Sequence, residues 1–180
     1  VVFDYDVHYY NIELDINIGP ETIYGNVEVH VVSEVDNLES IQLDFASGMT
    51  VDAVTHNGAT FNHFSDLISI ALDGSYNVGE SFVVGIQYHG HPLQGGFQAF
   101  AFGNQFNDTD RPPMISTLSE PYGARSWWPC KDVPTDKADS VRISLTTDAA
   151  YDAVANGLLV SETLNLDDTK TTIWEHKYPI

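Results

Sequence analysis

Hydrophobic and polar residues alternate along several short segments of this chain, and this period-2 pattern restricts the fold more than any other feature. In residues 3–18, Ile12, Leu14 and Ile16 alternate with Glu13 and Asp15. Successive side chains of a β-strand point to opposite faces, so the pattern predicts a strand with one buried and one solvated face. No helical periodicity lasts beyond about two turns, and only residues 148–154 are expected to form a short helical turn.

The same alternation recurs at a spacing typical of an all-β domain, a sandwich or a curved sheet. Asn57-Gly58 favours a hairpin turn, because both residues tolerate positive φ. Residues 73–77 are expected to be a loop, and residues 167–170 a hairpin turn. About ten short strands, mostly antiparallel, follow from this pattern, over residues 3–18, 27–31, 41–45, 49–55, 61–64, 67–72, 82–89, 141–147, 158–166 and 171–176.

The charge of the chain excludes two classes of partner. Its formal net charge is -19, from 26 acidic and 7 basic side chains. Nucleic acids and anionic membranes both require clustered Lys and Arg, so we expect neither as a partner.

The single cysteine, Cys130, cannot form an internal disulfide and is expected to be a buried thiol. These features suit a secreted or periplasmic protein without excluding a cytoplasmic one.

Three short patterns resemble ligand or modification sites but have simpler explanations. His89 and His91 share a strand face and could offer two metal ligands, yet Gly90 and Pro92 indicate a strand end with two ordinary polar side chains. Asp108-Thr109-Asp110 lacks the glycine and glutamate of a calcium loop and is expected to be a turn. Asn107 begins a glycosylation triplet that occurs often by chance. We therefore predict no metal site and no catalytic residue in this chain.

Residues 116–138, called here the central stretch, differ in composition from the rest of the chain. They contain two of the three tryptophans, Cys130 and three of the eight prolines. Proline removes backbone donors, so the stretch is expected to be a fixed, irregular connection packed against a sheet. Judged by residue type alone, Glu120 is a solvated or capping acid, and the two tryptophans simply pin a crossover loop.

The order of residues in 119–134, S-E-P-Y-G-A-R-S-W-W-P-C-K-D-V-P, carries a more specific indication. It resembles the T-Q-x-E-P-x-x-A-R-x-x-F-P-C-x-D-x-P signature of the zinc aminopeptidases of the aminopeptidase N and leukotriene hydrolase family. The spacings from Glu120 to Arg125 and from Pro129 to Pro134 agree. Weaker similarities to that family lie in residues 8–16, 88–93, 96–97, 155–157 and 160–163.

This resemblance implies that residues 1–180 form a single N-terminal domain, saddle-shaped or sandwich-like, that precedes a thermolysin-like catalytic domain. The family's G-x-M-E-N and H-E-x-x-H motifs are not in the sequence. The resemblance therefore implies a domain truncated at its C-terminal end, with zinc held by the absent catalytic domain. We expect the chain alone to bind no zinc and to hydrolyse no peptide.

The resemblance also assigns residue roles, and with them the partners of this domain. Glu120 is expected to bind the free amino terminus of a peptide substrate, beside the chain's own downstream catalytic domain. Leu118 stands where the family has Gln, which implies a more apolar pocket wall. The remaining signature residues are expected to hold the shape of the loop: Arg125, Trp128, Pro129, Cys130, Asp132 and Pro134.

Two alternatives stay open at this point. A non-catalytic β-sandwich module could bind carbohydrate, with Trp127 or Trp128 as a stacking platform, or could bind another protein. A missing strand would leave an open edge at the hairpin of residues 158–176, through which a weak homodimer could form. The source of the chain, its oligomeric state, the side-chain preference of the parent and any epoxide hydrolase activity are not determined by the sequence.

Overall fold

The computed structural model describes residues 3–92, 99–103 and 114–179, and its regular structure is almost entirely β-strand. This confirms the all-β prediction, and each predicted strand coincides with an observed one. In the described residues no helix is long and apolar enough to cross a membrane. The twelve strands are β1 Tyr5–Asn17, β2 Thr22–Ser33, β3 Leu38–Asp44, β4 Thr50–His56, β5 Gly58–Phe64, β6 Leu67–Tyr76, β7 Ser81–Gly90, β8 Phe100–Ala101, β9 Ser116–Thr117, β10 Ser140–Asp148, β11 Leu158–Leu164 and β12 Thr169–Lys177.

The strands form one large sheet and two small ones. The large sheet has the order β11-β12-β10-β1-β2-β7-β4, the second has the order β3-β6-β5, and β8 pairs with β9. Every pairing is antiparallel except that of β1 with β10, which is parallel. The prediction of mostly antiparallel strands is confirmed. Strands from opposite ends of the chain therefore meet in the middle of the large sheet.

The alternating aliphatic residues of β1 and β2 lie on one face of the large sheet and are buried. They belong to one hydrophobic cluster with the inward residues of β3 and β6. Full burial of one aliphatic side chain contributes about 1.5–3 kcal/mol to folding. This cluster thus holds the three-stranded sheet against the large one. Its fully buried members include Ile12, Val27, Val29, Leu43, Ile68 and Ile70.

A close approach between neighbouring strands makes Gly25 a specific requirement of this core. The Tyr88 side chain is buried on β7. A Cβ atom added to Gly25 on β2 would lie only 2.1 Å from Cζ of Tyr88. The absence of a side chain at Gly25 is what leaves space for the Tyr88 ring.

The hairpin predicted at Asn57-Gly58 is wrong, because in the described residues β4 pairs with β7 of the large sheet and β5 with β6 of the second sheet.

Two of the predicted boundaries are also wrong. Residues 73–76 belong to β6 rather than to a loop. Two contacts hold Tyr76 in place there. Its hydroxyl donates to the Asp73 carboxylate at 2.8 Å, and its ring packs on that of Phe82 with 4.3 Å between the ring centroids. Residues 148–154 form no helical turn, because β10 continues to Asp148. There the Asp148 carboxylate accepts a hydrogen bond from the Ala150 amide at 2.8 Å, a local contact that competes with helix.

Strand β11 is the outermost strand of the large sheet, and in the described part of the chain it pairs only with β12. Its aliphatic side chains are unusually accessible, with Leu158 78% and Leu164 71% exposed. An edge strand with apolar side chains is a template for pairing with another chain. The edge dimer considered above stays a prediction.

We expect Gly25→Ala to destabilise the chain by about 1–3 kcal/mol, the usual cost of overpacking a core. The new methyl group must displace the Tyr88 ring, which is buried. Chemical denaturation followed by tryptophan fluorescence measures the change. Gly74→Ala is the matched control, since nothing lies within 4 Å of a Cβ there. Equal stability of both variants would contradict this account of Gly25.

We expect weak self-association through β11 that strengthens with salt, because the net charge of -19 opposes close approach until it is screened. Sedimentation velocity at low and high ionic strength measures it. Leu164→Lys places a charge on the edge and should reduce the association at both ionic strengths. A chain that stays monomeric at high salt and high concentration would contradict the prediction.

Candidate functional site

The central stretch follows an irregular path that its prolines favour, and it is tied to the sheets at several points. Its first residues form β9, and the Leu118 amide then donates to the Ala99 carbonyl at 3.3 Å. A tight turn leads into a 3-10 helix, Ala124–Ser126. The stretch then forms an isolated antiparallel bridge between Cys130 and Asp44, at the end of β3.

Arg125 joins the stretch to β3 through two carboxylates. Its Nε donates to Asp132 at 2.8 Å, and its NH1 group lies 3.2 Å from Asp44. The Asp132 amide donates to the second oxygen of Asp44 at 3.1 Å, which closes the arrangement. Burial opposes the charge on Arg125, yet the hydrogen bond to Asp132 and the charge of Asp44 raise its pKa. One guanidinium thus holds both ends of the loop between Arg125 and Asp132.

Behind this loop lie Trp128, Pro129 and Cys130, all packed toward the core. Trp128 meets the ring of Tyr10 edge to face, with 4.8 Å between ring centroids. Cys130 is a free thiol that is fully buried, and burial raises its pKa well above the ordinary value. A thiol in that state is a poor nucleophile. Pro134 differs from these residues in being exposed.

Lys131 is a buried cation that the sequence reasoning did not single out. Its Nζ donates to the Tyr5 carbonyl at 2.6 Å, forms an ion pair with Asp136 and lies 4.4 Å from the centroid of the Tyr5 ring. Its amide donates to the Tyr10 hydroxyl at 3.0 Å. A buried ammonium requires this complete set of partners. In the sequence, the only indication of a buried cation was the position of this lysine between Cys130 and Asp132.

Asp6 on β1 lies near Lys131 and Asp136, and the pKa of its carboxyl group is shifted. Burial raises the pKa of Asp6, and so do its hydrogen bond to Asp136 and the negative charge of that residue, while the charge of Lys131 acts in the opposite direction. Two carboxyl groups thus share one ammonium. The arrangement anchors the central stretch to β1, but its acidic members repel each other when both are ionised.

The turn at residues 119–123 presents Glu120 to solvent. The Gly123 amide donates to the Ser119 carbonyl at 2.7 Å, and a Cβ on Gly123 would meet that oxygen at 3.1 Å. The peptide bond between Glu120 and Pro121 is cis. Among the described residues, no hydrogen bond or ion pair engages the Glu120 carboxylate. A tightly fixed turn thus carries an acceptor that is free to bind a cationic group.

The apolar side chains that flank Glu120 are exposed, whereas the two tryptophans of the central stretch pack toward the core. Leu118 is 50% and Tyr122 57% exposed, whereas Trp127 is only 8% exposed. Trp128 packs on Tyr10, as described above. The expectation that Trp127 or Trp128 forms a sugar-stacking platform is not favoured, because Trp127 is buried and Trp128 is partly buried against the core. The stretch buries these rings to fix its own position.

The histidine pair does not form a metal site. His89 Nδ1 lies 2.8 Å from an oxygen of Asp52, and His91 Nδ1 lies 2.6 Å from the carbonyl of Glu21. No group of three or more His, Cys, Asp or Glu side chains in residues 3–92, 99–103 and 114–179 is arranged to hold a metal ion. The expected turn at Asp108-Thr109-Asp110 and the triplet at Asn107 lie outside the described residues.

Comparison with known proteins gives consistent matches for the whole fold. A model of the Peptidase M1 N-terminal domain matches residues 7–180. Tricorn protease-interacting factor F2 of Thermoplasma acidophilum is 28% identical over 147 residues, which are 82% of this chain and 17% of that protein. The chain therefore spans less than a fifth of the length of this curated relative.

Solved structures agree with that match. An M1 zinc metallopeptidase from Deinococcus radiodurans is 27% identical, with a TM-score of 0.81 over 98% of this chain and 40% of that one. A mutant of the Deinococcus radiodurans enzyme bound to a Tyr-Ser-Ala substrate is 26% identical, with a TM-score of 0.79, over 96% of this chain and 39% of that one.

We expect Asp6→Asn to stabilise the chain at neutral pH. The raised pKa means that the folded protein holds this proton more firmly than the unfolded chain does. The free energy of unfolding of the parent sequence therefore falls as pH rises from the ordinary carboxyl value of 3.8 through the raised one. The amide stays neutral and removes this loss, so the two chains should differ at pH 7 and converge in acid.

Thermal melts between acid and neutral pH measure this difference. Asp15→Asn is the control, since it removes the same charge from an exposed position on the same strand. A stability gain that is equal for both variants at every pH would show that only the net charge of the chain matters.

Proposed function

This chain belongs to the peptidase M1 N-terminal domain family, and on that premise we propose that it is the substrate-facing scaffold of a zinc aminopeptidase. The parent protein releases N-terminal residues from peptides. In it, Glu120 binds the free α-amino group of the substrate. The match to M1 zinc metallopeptidases over nearly the whole chain supports this proposal, and a non-catalytic binding module is not favoured by it.

The observation that carries the role of Glu120 is a free carboxylate on a rigid turn. Its neighbours Ser119 and Gly123 are held by hydrogen bonds, so the backbone from which the Glu120 side chain projects is fixed before the substrate arrives. An α-ammonium group has three donors and pairs well with a carboxylate acceptor. Such charge-assisted hydrogen bonds are stronger than neutral ones, particularly where water is excluded. An exopeptidase needs this kind of contact, because only the chain terminus carries that charge.

The surroundings of Glu120 fit a surface that a further domain covers. Leu118 and Tyr122 flank the turn and are half exposed, and Met114 is 45% exposed. Covering these side chains with a catalytic domain would bury apolar area and remove water from around Glu120. Leu118 would then form an apolar part of the pocket wall. The partner in this proposal is the catalytic domain of the same polypeptide.

Zinc in this proposal belongs to the catalytic domain. The described residues offer no set of ligands that fits it, and the similar solved structures are zinc metallopeptidases. When bound, zinc polarises the scissile carbonyl and activates a water molecule. The contribution of this chain is different: it binds and orients the substrate terminus through Glu120.

We expect Glu120→Ala in the full-length parent to lower kcat/KM for peptides with a free amino terminus by about 30-fold or more, the effect of removing one partner of a desolvated charge pair. Glu120→Gln should be milder, because its amide oxygen still accepts from an ammonium group. Steady-state kinetics on aminoacyl arylamides measure both effects.

The control is Glu39→Ala, which removes an equal charge from an exposed position on β3. Wild-type kcat/KM in both Glu120 variants would show that Glu120 is not part of the substrate site.

A further inference from the structure

One side-chain hydrogen bond links the buried part of the central stretch to the turn that carries Glu120. Trp127 Nε1 donates to the hydroxyl oxygen of Ser119 at 3.0 Å. The Trp127 ring is 8% exposed and packs against Phe100 and Trp128, with ring centroids 5.8 and 5.9 Å away. The donor is therefore held on a rigid support.

Ser119 is the residue directly before Glu120, and hydrogen bonds hold both its carbonyl group and its hydroxyl group. Its carbonyl accepts from the Gly123 amide at 2.7 Å, and its hydroxyl accepts from Trp127. The first contact joins two residues of the turn, so it closes the turn but does not fix the position of the turn relative to the sheets. The second contact joins the turn, at the residue next to Glu120, to a side chain that is packed in the interior. At the other end of the turn, the buried Ser126 hydroxyl donates to the Gly123 carbonyl at 2.7 Å.

The pairing at Trp127 is a specific feature and does not follow from burial alone. Trp174 on β12 also has a buried indole nitrogen, and in the described residues this atom has no hydrogen-bond partner. Burial of a tryptophan in this fold thus does not by itself provide a partner for its N–H group. At Trp127 the partner is the residue adjacent to the proposed substrate ligand.

We propose that Trp127 is a positioning residue that acts through Ser119 to fix the place of the Glu120 carboxylate. This inference rests on the proposed role of Glu120. A charge-assisted hydrogen bond depends on direction as well as distance. Without the tie at Ser119, the end of the turn that carries Glu120 would be less ordered, and the substrate would have to order it, which weakens binding.

The test uses Trp127→Phe and Ser119→Ala in the full-length parent. Phenylalanine keeps most of the ring packing and removes the donor, and alanine removes the acceptor. We expect each variant to raise KM for a free-amino-terminus substrate by about 3- to 10-fold, the range expected for loss of one hydrogen bond. The value of kcat should stay the same, because the contact to the amino group persists in the transition state.

A double-mutant cycle separates positioning from a general structural effect. In the Glu120→Ala background, Trp127→Phe should cause no further rise in KM, since the group that it positions is gone. Trp174→Phe is the matched control: it removes the same atoms from a tryptophan whose buried indole nitrogen has no hydrogen-bond partner in the described residues, and it should leave KM unchanged.

The outcomes distinguish the two proposals. If Glu120→Ala has no effect on kcat/KM, the proposed function fails. If Glu120→Ala lowers kcat/KM but Trp127→Phe and Ser119→Ala leave KM unchanged, only the positioning role fails. It also fails if Trp127→Phe raises KM by the same factor with and without Glu120, or if it lowers the melting temperature without changing KM.

Discussion

The guanidinium group of Arg125, held between Asp44 and Asp132, is the contact on which the geometry of the central stretch depends. It joins an irregular loop to the end of β3, a strand of the smaller sheet. The Asp132 side chain is nearly buried, and burial raises its pKa even though Arg125 and its hydrogen bonds act in the opposite direction. The pair is therefore not a strong source of stability, because desolvation offsets much of its attraction. The contribution of the pair is structural specificity: it holds the loop in one position relative to β3.

The other contacts of the stretch are consistent with that position. Lys131 connects it to β1, Trp128 packs on Tyr10, and Trp127 connects it to the turn at Ser119. Lys131 and Trp128 both reach β1, through Tyr5 and Tyr10, while Trp127 joins two parts of the stretch itself. The result is a rigid support from which a single short turn projects into solvent. A site that must match a substrate closely is best placed on such a support, since order that already exists does not have to be created on binding.

The fold was largely predictable from the sequence because its strands obey a local rule. The alternation in β1 and β2 indicates both the strand and its buried face. The hairpin expected at Asn57-Gly58 was wrong, because this dipeptide does not show that the strands on either side of it join different sheets. Residues 73–76 were misassigned because Asp73-Gly74 has the composition of a turn, and the pairing of Tyr76 with Leu38 is not visible locally. The parallel pairing of β1 with β10 is likewise set by the whole sheet and by no short pattern.

The candidate site was predictable only in part. The order of residues from Ser119 to Pro134 pointed to Glu120, but the contacts that fix it join distant parts of the chain. Arg125 meets Asp44 of β3, and Lys131 meets Tyr5 of β1 across 126 positions of sequence. Residue spacing carries no information about such pairs. The hydrogen bond from Trp127 to Ser119 is shorter in range, yet it depends on a turn whose shape no sequence pattern announced.

The parallel pairing of β1 with β10 also has a consequence for how the chain is made. Tyr9 pairs with Ser140, so β1 lacks one neighbour until the part of the chain that contains β10 has been synthesised. Contacts of such long range close slowly, because the entropy of a large loop must be overcome first. A nascent chain therefore exposes one edge of β1 until β10 follows. An unpaired strand edge is a template for pairing with another chain, so in this interval β1 is open to aggregation.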